Sequence, residues 1–310
     1  MQKIRNFVFK KGMLLAFAVT MAVVVFSTSS AVAQTPSNSG SEPNASALLE
    51  KHAALTERLA QNQFRRPLYL ESLEGADKVS STAYAVLDSP FTTVSATFKS
   101  SSRWCEMLIL HINTKYCHAN ADANPSTLTA YIGKKTPQSL GEAFLLEFSY
   151  RVTAASSSYL AVQLHADKGP LSTTNYRIEL QAVPLPQGKT FIYLRYSYGY
   201  GLAGRLAMQT YLATIGRGKV GFTTSDAKSG YVGGMRGTVE RNTMRYYLAI
   251  EAYLSSLKQP PAQQLNTRLE YWFDATEEYS QQLHEVDRTS YLAMKKDEYQ
   301  RQQASVVTAE

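Results

Sequence analysis

The chain has 310 residues, 44% of them hydrophobic and 18% charged, which is enough apolar material for a sizeable core and excludes wholesale disorder. The formal charge of +7 includes Lys3, Arg5, Lys10 and Lys11 from a leader without acidic residues. Beyond the leader, 28 basic residues face 25 acidic ones, near +3, so there is no electrostatic case for nucleic acid as a partner.

The leader has the pattern of a secretory signal. Its basic start is followed by the apolar run Met13–Phe26, which is short for a span of about 20 residues. Ala31-Val32-Ala33 before Gln34 is a small-x-small cleavage site. Residues 1–33 are therefore expected to be a signal peptide, the protein exported and periplasmic, with no stable transmembrane anchor after cleavage. The alternative is a retained anchor helix. Residues 34–44, rich in Ser, Pro, Asn and Gly, read as a disordered linker. Residues 45–65 read as an N-terminal amphipathic helix, with Leu48, Leu55 and Leu59 at helical spacing.

From Pro67, two strand-like runs are joined by the turn Glu74-Gly75-Ala76-Asp77. Ser89 reads as a helix N-cap with Pro90 at the first helical position. Phe91, Val94 and Phe98 form a helix face, and Trp104 and Leu108 suggest a second short helix. The only cysteines, Cys105 and Cys117, fall in the exported part, so a disulfide is expected. A bridge requires Cα atoms within about 7 Å. The chain must therefore turn back between a helix ending near His111 and a strand starting near Asn113. Two buried thiols or a redox pair are the alternatives.

After Cys117 the pattern is β. Ser126–Lys134, Ala143–Thr153, Ser158–Asp167, Asn175–Pro184 and Lys189–Gly201 are strand-length runs with short turn signals between them, which favours an antiparallel meander. One face carries Phe144, Leu146, Phe148, Tyr150, Leu160, Val162, Leu164, Tyr176, Ile178, Leu180, Ile192, Leu194 and Tyr196. The other carries Glu147, Arg151, Gln163, His165, Arg177, Glu179, Gln181 and Arg195, expected to be a solvated ladder. Tyr196, Tyr198 and Tyr200 continue the apolar row, either lining a pocket or packing on the next helix.

Leu202–Thr214 reads as that helix, with Leu206, Met208, Tyr211 and Leu212 apolar. The glycine-rich Gly216–Gly234 is expected to be a flap over the sheet opening. Arg236–Leu257 is a long helix whose stripe Val239, Thr243, Tyr246, Ile250, Leu254 and Leu257 is committed to burial. Met244 and Leu248 on its opposite side predict a sandwich between the sheet and the tail helices. Pro260-Pro261 ends it, and Ala262–Glu278 and Thr289–Gln303 read as further helices. The expected organisation is thus a domain over 66–257 and a C-terminal helical extension over 258–310.

The order strand, helix pair, antiparallel strands, long helix resembles the helix-grip fold of START-like lipid-binding and polyketide-cyclase domains. TAYAVLDSPFTTVSATFKSSSRW and RGTVERNTMRYYLAIEAYL carry the resemblance, which covers roughly Lys78–Leu257. The chain departs by a helix and a glycine-rich stretch inserted before the long helix, and by extra helices at both ends. It is also similar to an uncharacterised family of exported proteobacterial proteins. The first resemblance implies an α+β fold in which a curved antiparallel sheet wraps a long helix, with an apolar ligand held between them. A helix of 22 residues and a ten-residue strand are both about 33 Å long, so the two can lie along each other.

The expected ligand is a hydrophobic small molecule or lipid, bound without catalysis. The expected walls are Phe148, Leu164, Ile178, Leu194, Tyr196 and Tyr198 from the sheet and Asn242, Tyr246, Ile250 and Tyr253 from the helix. An enzyme of cyclase or hydratase type using the same cavity is one alternative. A structural or partner-binding protein with a filled interface is another. No catalytic residue is assigned, because no hydrolase, zinc-protease or phosphate-loop motif occurs. No cofactor or metal is expected, since none of His52, His111, His118, His165 and His284 has ligand spacing to another donor. Glu240, Arg241 and Arg245 are expected to contact the flap or the tail helices.

Overall fold

The computed structural model describes residues 45–307 except 124, 215, 226 and 227. The signal-peptide and linker expectations therefore lie outside the described residues. In chain order the elements are α1 (Ala45–Ala60), β1 (Leu68–Glu74), β2 (Lys78–Leu87), α2 (Phe91–Phe98), α3 (Ser101–Leu108), β3 (Thr114–Asn120), β4 (Thr127–Ile132), β5 (Phe144–Ala155), β6 (Leu160–Lys168), β7 (Thr173–Leu185) and β8 (Lys189–Tyr200). There follow α4 (Leu202–Ala213), the short β9 (Thr224–Ser225) and β10 (Lys228–Tyr231), α5 (Gly234–Ser256), α6 (Pro261–Glu277), α7 (Ser280–Leu283) and α8 (Arg288–Val307).

Eight strands make one antiparallel sheet in the order β1-β2-β8-β7-β6-β5-β4-β3. The meander thus ends beside the first hairpin, and β3 is left at the far edge. The curved sheet embraces α5, giving the α+β helix-grip architecture with extra N- and C-terminal helices. The register puts Leu164 opposite Ile178 and Leu180 opposite Leu194, so the inner face is one apolar row across the central strands.

Helix α5 packs on β1, β2 and β8 with one side and on α6 with the other. Val239, Thr243, Ile250 and Leu254 are buried as expected, and so are Met244 and Leu248 on the back. Tyr246 and Leu257 are only half-buried. The back is dry because α6 and α8 bring Leu269, Trp272, Phe273, Tyr291 and Met294 into the same core. Trp272 satisfies its indole by donating to the Arg245 carbonyl at 3.1 Å, and Tyr291 donates to the Leu110 carbonyl at 2.8 Å.

Several expectations need correction. The outer sheet face is not wet throughout: α1 lays Leu48, Leu55 and Leu59 over Tyr84, Val183, Phe191 and Tyr193. Those residues alternate with the inner row, so β2, β7 and β8 are apolar on both faces where α1 covers them. The N-cap before α2 is Pro90 itself, and the Ser89 carbonyl accepts the Thr190 hydroxyl at 2.7 Å. On α4, Leu206 is exposed, while Met208 is buried.

The glycine-rich stretch is no flap over the sheet opening. It is pinned to the first turns of α5. Glu240, fully buried, accepts the Phe222 and Thr223 amides at 2.6 and 3.0 Å and the hydroxyls of Thr223 and Ser72. Its glycines serve this close approach. A Cβ on Gly237 would meet the Val232 carbonyl oxygen at 2.9 Å, and one on Gly221 would run into the Glu240 carboxylate. Arg241 donates to the Val220 carbonyl at 3.0 Å and Arg245 to Glu285 at 2.7 Å, so all three helix charges contact this segment or the tail.

Cys105 and Cys117 form a disulfide with Cα atoms 5.1 Å apart, joining α3 to β3 across the turn at His111. The exposed side of β3 is sealed by α8. Gln302 accepts the Cys117 amide at 3.1 Å, and Glu298 binds both Lys115 at 2.9 Å and Lys295 at 2.7 Å, all three side chains being buried. An edge strand that would otherwise offer free backbone groups is thereby closed. Among the described residues no helix is long and apolar enough to cross a membrane.

Candidate functional site

The grip of the sheet on α5 is incomplete. Toward α2 the space is filled. Phe91, Val94 and Phe98 press onto β7 and β8, and the Tyr150 hydroxyl closes the joint on the Phe98 carbonyl at 2.8 Å. Toward β3, β4 and β5 the helix and sheet diverge, leaving a cavity of about 590 Å³. That size lies within the range of sites that enclose one small organic molecule.

The cavity has an apolar wall from Ala130 and Ile132 on β4 and Leu146 and Phe148 on β5, continued by Leu108 and Met208. Its floor is a row of rings. Tyr198 stacks on Tyr176 at 5.2 Å, Tyr176 meets Tyr196 at 6.0 Å, Tyr196 meets Tyr246 at 5.4 Å, and Tyr246 meets His111 at 4.9 Å. Tyr176 is locked by a 2.8 Å hydrogen bond with the Thr173 hydroxyl. Burial pushes the Tyr176 phenol up to about 12 and raises those of Tyr196 and Tyr246 as well, so the row is neutral at ordinary pH. The mouth lies by Phe144 and Leu171, 38% and 44% exposed. Leu171 sits in the Pro170–Ser172 turn with φ 58°, a left-handed backbone unusual for such a side chain.

Two polar atoms in this lining have no hydrogen-bond partner: the Tyr198 hydroxyl and Nε2 of His111. His111 is 4% exposed, on the turn between α3 and β3. Its Nδ1 accepts the Asn113 amide at 3.2 Å, which puts the ring proton on Nε2. Burial, then the nearby charges of Arg245 and Lys295, hold its pKa well below the ordinary imidazole value. The Asn242 side chain makes a loose hydrogen-bonding approach to the ring that favours the charged form, though no full-geometry bond forms at Nε2. The result is a neutral imidazole whose Nε2–H donor makes no full-geometry hydrogen bond.

The surroundings of that end are basic. Arg245, Lys135 and Lys219 share the carboxylate of Glu285 at 2.7, 2.6 and 3.3 Å. Burial pushes Glu285 up, but the three cations outweigh it and hold the carboxyl below its usual range. Lys295 fixes the turn itself by donating to the His111 and Thr114 carbonyls at 2.8 and 2.7 Å.

Of the ten wall residues expected from sequence, Phe148, Tyr196, Tyr198, Asn242 and Tyr246 line the cavity. Leu164, Ile178, Leu194 and Ile250 do not. They are at most 1% exposed, in the filled half of the interface. Tyr253 lies two turns farther along α5 than Tyr246, beyond the cavity, with the Arg268 guanidinium 4.6 Å from its ring centre. Its neighbours Thr93, Thr97 and Arg103 belong to a separate surface groove. The filled-interface alternative therefore describes one half of the contact and not the other.

Sequence reasoning missed His111, Asn113 and the β4–β5 loop with Lys135. Asn113 satisfies its amide on the Gly133 carbonyl at 2.7 Å, tying that loop to the turn. The missed Thr238 had a signal: Thr238, Asn242 and Tyr246 are spaced by four and form a stripe beside the core one. From the sequence, His111 is a candidate only as a metal ligand, seven residues from His118. Among the described residues no group of three or more His, Cys, Asp or Glu is placed to hold a metal ion.

No family model and no curated protein matches the chain, so nothing stands behind the similarity to an exported proteobacterial family. Among solved structures it is similar to human StAR-related lipid transfer protein 5, with TM-score 0.36 and 10% identity over 70% of this chain and 100% of that one. It is also similar to the human StarD13 (DLC2) lipid transfer and protein localization domain, with TM-score 0.30 and 6% identity over 52% of this chain and 88% of that one.

Proposed function

We propose that this protein is exported and binds one hydrophobic, lipid-like molecule between sheet and long helix without transforming it. The observation that carries this reading is the cavity of about 590 Å³, apolar over β4 and β5 and floored by neutral tyrosines. An apolar chain buried there gains about 0.8 kcal/mol per CH₂ before ordering costs. His111 is the one buried imidazole in the wall, and its Nδ1 is committed to a backbone amide, not to a carboxylate that would orient it as a base. That favours binding over acid–base chemistry.

Export rests on the leader pattern and agrees with the Cys105–Cys117 bridge, since disulfides persist in oxidising compartments. Native mass spectrometry of protein taken from the periplasm of an exporting bacterium tests both parts. The expected species begins at Gln34 and carries a co-purifying lipid-like mass. Binding fails if the protein flies bare and a fluorescent fatty acid does not titrate it. Export with cleavage fails if the chain retains residues 1–33.

A further inference from the structure

We propose that the His111 end of the cavity is a head-group site for an anionic single-chain amphiphile, a long-chain carboxylate whose oxygen accepts the Nε2 proton of His111. The inference rests on the binding reading above and adds the ligand's polar chemistry to it. Three independent features converge. Nε2–H is a buried donor with no full-geometry hydrogen bond, only a loose approach from Asn242, so a better-placed acceptor arriving there recovers a desolvation loss. The donor is fixed in direction: Nδ1 is held by the Asn113 amide, the ring packs on Tyr246, and Lys295 clamps the His111 carbonyl. The charge behind it is positive, because Arg245, Lys135 and Lys219 share one carboxylate and Lys115 and Lys295 share another.

This arrangement discriminates by sign. A carboxylate meets a donor and a surplus of cations, since Lys134 and Lys135 outnumber Glu142 in the cavity lining. An alkylammonium would bring only donors to a donor, into a field that repels it. A headless hydrocarbon leaves Nε2–H unpaired. The tail then runs along Leu146, Phe148 and the tyrosine row, with the mouth at Phe144 and Leu171.

The test is a titration of the full exported protein with palmitate and hexadecylamine, each displacing the uncharged apolar fluorophore N-phenyl-1-naphthylamine. The expected result is that the fluorophore binds and palmitate displaces it at least about tenfold better than the amine, the size of one charge-assisted hydrogen bond. His111→Phe should bring the two ligands to within about threefold, while the fluorophore still binds. Because the wild-type preference needs no variant, a misfolded His111→Phe leaves the inference testable. Independently, the His111 Nε2 resonance in a ¹⁵N imidazole spectrum should shift with palmitate and stay put with the fluorophore. If the fluorophore binds but palmitate and the amine compete equally, the head-group site is overturned and the apolar cavity stands. If neither the fluorophore nor palmitate binds, both readings fall.

Discussion

His111 is a neutral ring among cations, and that has a thermodynamic signature. In the unfolded chain the ring takes a proton near pH 6.5. In the folded protein, burial and then Arg245, Lys295 and Lys135 keep it deprotonated well below that value. The unfolded state therefore binds more protons as pH falls below about 6.5, and stability falls with it, by up to about 1.4 kcal/mol per pH unit. Urea midpoints at pH 7.5, 6.5 and 5.5 should show this loss in the wild type and a shallower one in His111→Phe. Equal slopes would mean that the buried ring does not titrate as described. Tyr198 makes a second residue-scale prediction. Its hydroxyl is buried without a partner, so Tyr198→Phe removes a desolvated group and no bond. Thermal melting of ligand-free protein should be unchanged or stabilised, by about 1 kcal/mol at most. A loss larger than that would show that the hydroxyl is satisfied in solution.

At the scale of elements, α8 and β3 depend on a buried carboxylate. Glu298 neutralises Lys115 and Lys295, and burial has already pushed Lys295 down to about 8. Glu298→Ala leaves two buried ammonium groups facing each other and should cost about 3–5 kcal/mol in urea unfolding. A cost below 1 kcal/mol would mean that water reaches the cluster. The Cys105–Cys117 bridge closes a loop of about a dozen residues, and replacing both cysteines by serine should lower stability by about 3 kcal/mol. The sequence revealed these elements unevenly. Strands β4 to β8 and helix α5 were legible because their periods are clean over six residues or more in every strand and over the full length of the helix. The fit of α1 onto Phe191 and Tyr193 was not, because a strand covered on both faces loses its alternation locally. Composition suggests a flap for the glycine-rich stretch, but its glycines serve a backbone contact with α5, and composition does not say which surface a segment meets.

For the whole molecule, sandwiching of α5 between the sheet and α6 follows from the apolar positions on both its sides, and this could be read in advance. Where the grip opens could not. Phe148 and Leu164 stand on the same inner face, yet the first lines the cavity and the second is packed solid, because α2 fills one half of the interface and, among the described residues, no element fills the other. Cavities are set by how neighbouring elements diverge, a property of the assembled layers and not of any strand's pattern. The polar end was illegible for the same reason, since His111, Lys135 and Asn242 come from a turn, a loop and a helix far apart in sequence. The claim on which everything else rests is that the space between β4, β5 and α5 receives an apolar ligand. Its most direct test is titration with N-phenyl-1-naphthylamine of the wild type and of Ala130→Phe, whose added ring fills the cavity from β4. The account predicts saturable one-to-one binding by the wild type and its loss in Ala130→Phe with the fold intact by circular dichroism. Undiminished binding by a folded Ala130→Phe, or no binding by the wild type, would contradict it.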